Sequence, residues 1–288
     1  MSKTINSLLQ DLTKQLTLIS SEPEQEAWWL LEHVTKLRKI NLVTQQKFEL
    51  SDLQQTHLMQ CLHERVNENK PLQYIIGSVP FCNLTINVRP PTLIPRPETE
   101  EWVSWLINQL QPYKNKPLSI LDLCTGSGCI GLAVANALLQ ASVTGIDIKE
   151  GALELAQENK AANNITNIQF LQSDLYTGLS TTSRYDLIVS NPPYLGHDEW
   201  KVLDPGVKNW EDPDALIAHN NGIELYEKII SQANIYLNDS SDKSLPRIVL
   251  ELGVNQSEIL KHILLKNNFI DIAVYRDLAG SERWITAR

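Results

Sequence analysis

Basic residues, cysteines and long apolar runs are all scarce in this 288-residue chain, and each shortage excludes something. Lys and Arg number 25 against 34 Asp and Glu, a formal charge of −9, and no stretch is rich in Lys or Arg. Tight binding to a nucleic-acid backbone is carried by cations that neutralise phosphates, so direct nucleic-acid binding is not expected. The four cysteines, Cys61, Cys82, Cys124 and Cys129, are scattered and form no Cys-x-x-Cys pair. With no secretory pattern at the N-terminus they read as reduced thiols rather than disulfides or zinc ligands, and no metal site is expected. No apolar run approaches the ~18–20 residues of a membrane span. The first twenty residues carry two lysines, one acid and no arginine, which suits an amphipathic helix better than a targeting peptide. A cytoplasmic location is expected, with an organellar one also open.

What is present is ordinary for a folded protein: 42% apolar and 20% charged residues, in a length that fits one large domain plus a small one. Residues 1–75 read as a small helical bundle. Ile5, Leu8, Leu9, Leu12 and Leu16 recur at helical spacing, as do Trp28, Leu31, Val34 and Leu37. Pro23 suits the first turn of a helix capped by Ser20 or Ser21, and Ser51 suits the cap of a helix to residue 69 with Leu53, Leu58, Cys61, Leu62 and Val66 on one side. With no ionisable cluster of its own, this bundle reads as a substrate-docking domain. Residues 76–93 read as a linking β-hairpin, with alternation at 84–88 and Pro90-Pro91 as its stop.

The third segment, residues 94–288, alternates strands and helices from Pro117 onward. Strands are expected at 118–123, 142–147, 167–171, 185–190, 247–252, 270–275 and 283–286, and helices through 139 and at 150–162, 222–237 and 257–267. Continuous apolar strands alternating with helices predict an α/β domain, a mostly parallel sheet covered on both faces. Ligands in such sheets sit at the carboxyl ends of the strands, near the switch in strand order.

Polar motifs fall at those ends. The first strand runs into Asp122-Leu123-Cys124-Thr125-Gly126-Ser127-Gly128, and the glycines let backbone approach a ligand at a helix N-terminus. Gly126-x-Gly128-x-x-Gly131 also fits a dinucleotide fingerprint. An acid before the turn instead suits a nucleoside whose sulfonium cation replaces the pyrophosphate; the alternative for Asp122 is a carboxylate that braces the loop. Asp147 ends the second strand and can accept both ribose hydroxyls. Asp174 follows the third strand, placed to accept from an adenine amino group or to cap the next helix, and Leu175 can pack on the ring. The fourth strand ends in Asn191-Pro192-Pro193-Tyr194. Proline cannot continue a central strand, so the double proline makes a rigid bracket that aims Asn191 and Tyr194.

With that tetrapeptide the chain resembles the S-adenosyl-L-methionine-dependent methyltransferases of the Rossmann-like, seven-stranded class I, in the branch that methylates nitrogen beside a planar π-system. The resemblance implies that Asn191 and the Pro192 carbonyl accept the N–H groups, that Tyr194 stacks on the planar group, and that Asp122, Cys124, Thr125, Gly126, Ser127, Gly128, Asp147, Asp174, Leu175 and Asn191 hold S-adenosyl-L-methionine. The tetrapeptide alone leaves adenine N6, guanine N2 and glutamine N5 open. The runs from Pro71 to Gly77 and from Leu93 to Glu100 (Leu-Ile-Pro-Arg-Pro-Glu-Thr-Glu), with Glu251, Gly253, Gln256 and the ending Asp277 to Arg283, are similar to the release factor glutamine methyltransferases, the HemK/PrmC family. That likeness implies peptide chain release factors as protein substrates, glutamine N5 of their Gly-Gly-Gln motif as the acceptor, and Arg96 and Glu98 with Asn191, Pro192, Pro193 and Tyr194 as the substrate side. A salt bridge between domains is the alternative for Arg96 and Glu98. Cys124 stands where the family often has glycine, which would stiffen the first turn. A monomer is expected. The rival activity is a nucleic-acid exocyclic-amino methyltransferase.

Overall fold

The computed structural model describes residues 5–44, 49–239 and 245–288; the parts of the helical expectation at 1–4 and 45–48 lie outside the described residues. The chain divides into two compact units, one running to Gly77 and taking in Asp204–Trp210, the other comprising Ser78–Leu203 and Glu211–Arg288.

The first unit contains α1 (Ile5–Leu16), α2 (Pro23–Thr35), α3 (Lys39–Thr44), α4 (Asp52–Asn67) and α5 (Leu72–Ile76). Leu12 and Leu16 of α1, Trp28 and Leu31 of α2, and Leu58 and Leu62 of α4 share one core. Ser51 caps α4 through a reciprocal pair: its hydroxyl accepts from the Gln54 amide, and the Gln54 side chain accepts from the Ser51 amide. Two details differ from the sequence reading. Glu22, not a serine, is the N-cap residue of α2, and the Ser20 hydroxyl instead accepts its amide at 3.0 Å. Leu53 is 81% exposed; five residues before Leu58, it lies roughly 140° round the helix from the buried stripe. The short helix at 205–210 belongs to this unit, where the Trp210 indole N–H donates to the Glu68 carbonyl at 3.1 Å.

The second unit opens with the hairpin β1 (Ser78–Phe81) and β2 (Leu84–Asn87). Two asparagines four residues apart, Asn159 on α8 (Glu150–Ala162) and Asn163 at its C-cap, fasten it: Asn163 exchanges hydrogen bonds with the backbone of Thr85, and Asn159 with that of Asn87. Asn159 also donates to the Ser127 carbonyl at 3.0 Å, tying the hairpin to the loop after the first sheet strand. Then comes α6 (Pro97–Leu110), a helix outside the sequence-based expectation. Its signals are legible: Pro97 at its start, Glu98 and Glu100 in the first turn, and a buried face of Thr99, Trp102, Val103, Leu106 and Leu110.

The sheet has seven strands, as expected, in the order β5-β4-β3-β6-β7-β9-β8. These are β3 (Ser119–Leu123), β4 (Ser142–Asp147), β5 (Ile168–Gln172), β6 (Leu187–Ser190), β7 (Ile248–Glu251), β8 (Ala273–Arg276) and β9 (Glu282–Ala287). The first five are parallel, and β9 runs antiparallel to both neighbours. α7 (Cys129–Ala137) and α8 connect β3 to β4 and β4 to β5. After β6 come the short α9 (His197–Lys201), α10 (Pro205–Trp210) and α11 (His219–Gly222), then α12 (Glu224–Tyr236) and, after β7, α13 (Ser257–Lys266). Order reverses between β3 and β6, so a crevice opens beyond the carboxyl ends of these strands.

Candidate active site

A cavity of about 860 Å³ lies at that crevice, a volume suited to a nucleoside-sized ligand. Of the residues singled out in the sequence, Cys124, Gly126, Asp147, Asp174, Leu175, Asn191 and Pro193 line it. A small adjoining recess is lined by Arg96, Pro192 and Tyr194, and shares Asn191 and Pro193 with the main cavity. Asp122, Thr125, Ser127, Gly128 and Glu98 line neither.

Asp122 is fully buried behind the loop. Its Oδ2 accepts from the Thr125 hydroxyl and from the Gly131 amide at 3.0 Å, so it braces the turn from within. Burial pushes its pKa up to about 7, against the pull of those two donors. Gly131 is explained by the same contact, because a Cβ there would sit 2.9 Å from Asp122 Oδ2 and 2.8 Å from Ile168 Cδ1. The third glycine of the apparent fingerprint thus serves close packing of α7 against the loop and the sheet.

Asp147, at the end of β4, accepts from the Gly126 amide with Oδ2 (2.8 Å) and from the Lys149 amide with Oδ1 (2.9 Å). Burial raises its pKa while these amides hold it down. Each oxygen keeps one lone-pair direction for a ligand hydroxyl. Asp174 is exposed to the cavity, and among the described residues its carboxylate takes no hydrogen bond. The lining cations are already engaged: Lys149 pairs with Asp212 and Asp214, Arg89 with Glu158, and Lys228 with Glu224. Two carboxylates, an occupied loop amide and, among the described residues, no lining Lys or Arg without an acidic partner suit a nucleoside with a sulfonium better than a pyrophosphate. The residues therefore fit S-adenosyl-L-methionine. Two of them, Cys124 (φ 59°) and Leu175 (φ 47°), hold left-handed backbone without being glycine, a strain that persists where the surroundings over-determine it.

The segment after α10, whose course the sequence did not disclose, crosses the cavity rim. The Asp212 amide donates to the Pro91 carbonyl at 2.7 Å, and Glu211 is buried against Arg96. Burial raises the Glu211 pKa despite the Arg96 guanidinium.

Behind Asn191 lies a network that motif reading missed. The Asn191 amide nitrogen donates to Thr99 Oγ1 at 3.2 Å. The Thr99 hydroxyl and the Trp102 indole N–H both donate to Glu251 Oε2 at 2.7 Å. Tyr194 reaches Glu251 Oε1 only at 3.5 Å, and burial pushes both of their pKa values up. The Tyr194 carbonyl accepts from Gln256 Nε2 at 2.8 Å, and Gln256 Oε1 accepts from the Gly253 amide at 2.8 Å. That buckle gives Gly253 and Gln256 their role. Gly222 (φ 85°) admits the same carbonyl, because a Cβ would lie 1.9 Å from it. The late run closes the β8–β9 turn, where Asp277 accepts from the Ser281 amide and from Arg283 Nε.

The Methyltransferase small domain profile matches residues 103–203, and the PrmC N-terminal domain profile matches residues 7–77. A release factor glutamine methyltransferase of Thermodesulfovibrio yellowstonii is 40% identical over 259 residues, 90% of each chain. One of Fusobacterium nucleatum is 38% identical over 266 residues, 92% of this chain and 73% of that protein. Among solved structures, the hMettl16 catalytic domain superposes with a TM-score of 0.54 at 18% identity, covering 82% of this chain and 81% of that one, which bears on the fold alone. The chain belongs to the release factor glutamine methyltransferase family.

Proposed function

We propose that the protein transfers a methyl group to the side-chain N5 of the glutamine in the Gly-Gly-Gln motif of peptide chain release factors. One observation carries the assignment of roles: Asn191 stands on the wall shared by the nucleoside-sized cavity and the recess that Arg96, Pro192 and Tyr194 line. When bound, S-adenosyl-L-methionine supplies an electrophilic methyl. Asp147 holds the ribose hydroxyls, Asp174 accepts from the adenine amine, and Leu175 packs on the base.

An amide nitrogen is a poor nucleophile because its lone pair is delocalised. Among the described residues, neither Asn191 Oδ1 nor the Pro192 carbonyl accepts a hydrogen bond. Both are free to take the two N–H groups of the glutamine amide and hold the nitrogen in line with the methyl. Tyr194 packs on the flat amide, and Arg96, held by Glu211, shapes the recess. No base is needed before transfer, because the nitrogen loses its proton readily once it is cationic. The helical unit serves to dock the release factor, and the enzyme acts as a monomer on protein alone.

Labelled S-adenosyl-L-methionine with purified release factor, its Gln→Ala variant, and duplex DNA and structured RNA in parallel tests this reading. Label on the wild-type factor alone is expected. Label on nucleic acid, with none on the factor, overturns it.

A further inference from the structure

We infer that Thr99 and Glu251 are positioning residues for methyl transfer, which lock the Asn191 amide with its oxygen turned to the substrate. The inference rests on the Asn191 role proposed above. It follows from the direction in which each hydrogen bond must run.

The Trp102 indole N–H can only donate, and it donates to Glu251 Oε2 at 2.7 Å. That oxygen is therefore an acceptor, whether the carboxyl is ionised or carries a proton on Oε1. Thr99 Oγ1 lies 2.7 Å from the same oxygen, so the threonine spends its one proton there. Only lone pairs of Thr99 then face Asn191, and they accept the Asn191 amide N–H at 3.2 Å. A flipped amide would set Asn191 Oδ1 against those lone pairs with no proton between them. The remaining terminal atom, Oδ1, is left as the acceptor for the substrate.

Stability alone does not account for this network. Thr99, Trp102 and Glu251 are 2%, 0% and 1% exposed, and burying a carboxylate costs more than a well-packed apolar residue would. What the buried group adds is polarity fixed in advance. A catalytic dipole already aimed at the reacting atom needs no reorganisation during the reaction. The anchors lie on α6 and at the end of β7, rigid elements that hold a strand-end loop to one geometry.

Four full-length variants, Asn191→Ala, Thr99→Val, Thr99→Ser and Glu251→Gln, test it against wild type. The readouts are single-turnover transfer to a release factor, KM for the factor, S-adenosylhomocysteine Kd and Tm. Thr99→Val keeps the shape and removes the hydroxyl; it is expected to slow transfer about 10- to 100-fold, less than the loss of the aimed dipole itself, because Asn191 stays in place but is no longer held to one orientation. KM and Kd should stay within about twofold. Thr99→Ser should restore the rate to within about threefold of wild type. Glu251→Gln should lose less than Thr99→Val, because Trp102 holds the carboxamide oxygen in the accepting place. A Thr99→Val enzyme at wild-type rate, with Asn191→Ala inactive, overturns the inference alone. So does a Glu251→Gln loss larger than that of Thr99→Val, which would assign the effect to charge or to a proton. An Asn191→Ala enzyme at wild-type rate overturns the Asn191 role and the inference with it.

Discussion

On the proposed cofactor side of the cavity, Cys124, Gly126, Asp147 and Asp174 each sit within three residues of the end of β3, β4 or β5. They are presented by consecutive strand–helix units. On the proposed substrate side, Asn191 is hydrogen-bonded to Thr99, 92 residues earlier, and Thr99 to Glu251, 152 residues later. Gln256 fixes the Tyr194 carbonyl from 62 residues away. One wall is assembled locally and the other by long-range hydrogen bonds through the core. The two should therefore fail differently: damage to the first should appear as lost affinity, damage to the second as lost rate.

The largest expected effect is on the substrate wall. Asn191→Ala should abolish transfer, with a loss of about 10³-fold or more in single-turnover rate, while S-adenosylhomocysteine affinity measured by calorimetry changes little. On the cofactor wall, Asp147→Ala should weaken that affinity by about 10- to 100-fold, from lost bonds to a charged acceptor and a slackened Gly126 amide. At saturating cofactor its rate should largely recover. If Asp147→Ala loses rate that no cofactor concentration restores, the two walls are not separable.

A smaller effect concerns Asp122. Its folded pKa, about 7, lies above its unfolded value, so the native state binds the extra proton between them. Its contribution to stability is present at low pH and is lost as pH rises toward 7. The Asp122→Asn variant should gain on wild type between pH 5 and pH 7, by at most about 1.4 kcal/mol per pH unit, read from denaturant unfolding at each pH. A difference that does not vary with pH would contradict the buried, protonated bracing role. The smallest effect is expected at Cys124, whose left-handed backbone (φ 59°) glycine adopts freely. Cys124→Gly should stabilise by up to about 1 kcal/mol, the left-handed cost less the added flexibility of glycine, with cofactor affinity retained.

The same contrast explains what the sequence disclosed. The bounds of β4 and α8 agree with the apolar pattern residue by residue, because a buried strand and an amphipathic helix carry their signal within a dozen residues. Asp147 and Asp174 could be set at strand ends for the same reason: the first ends a readable run and the second follows one by two residues. Asp122 could not, since it faces inward to Gly131 across the loop it precedes, and only the close approach of those two residues fixes its direction. α6 is legible in its proline, acids and apolar stripe, although its first turn lies inside the proline-rich Leu93–Glu100 run, whose two prolines otherwise read as a break. Nothing near Thr99 or Glu251 announces that they meet. Their pairing depends on β7 lying beside β6 and on α6 packing above, which only the tertiary structure supplies.

The most direct test of the central claim is mass-spectrometric mapping of the Gly-Gly-Gln peptide from a release factor incubated with S-adenosyl-L-methionine and either wild-type or Asn191→Ala enzyme. The prediction is one methyl group on the glutamine side chain with wild type and none with the variant. An unmodified glutamine with wild-type enzyme, or equal methylation by both, would contradict it.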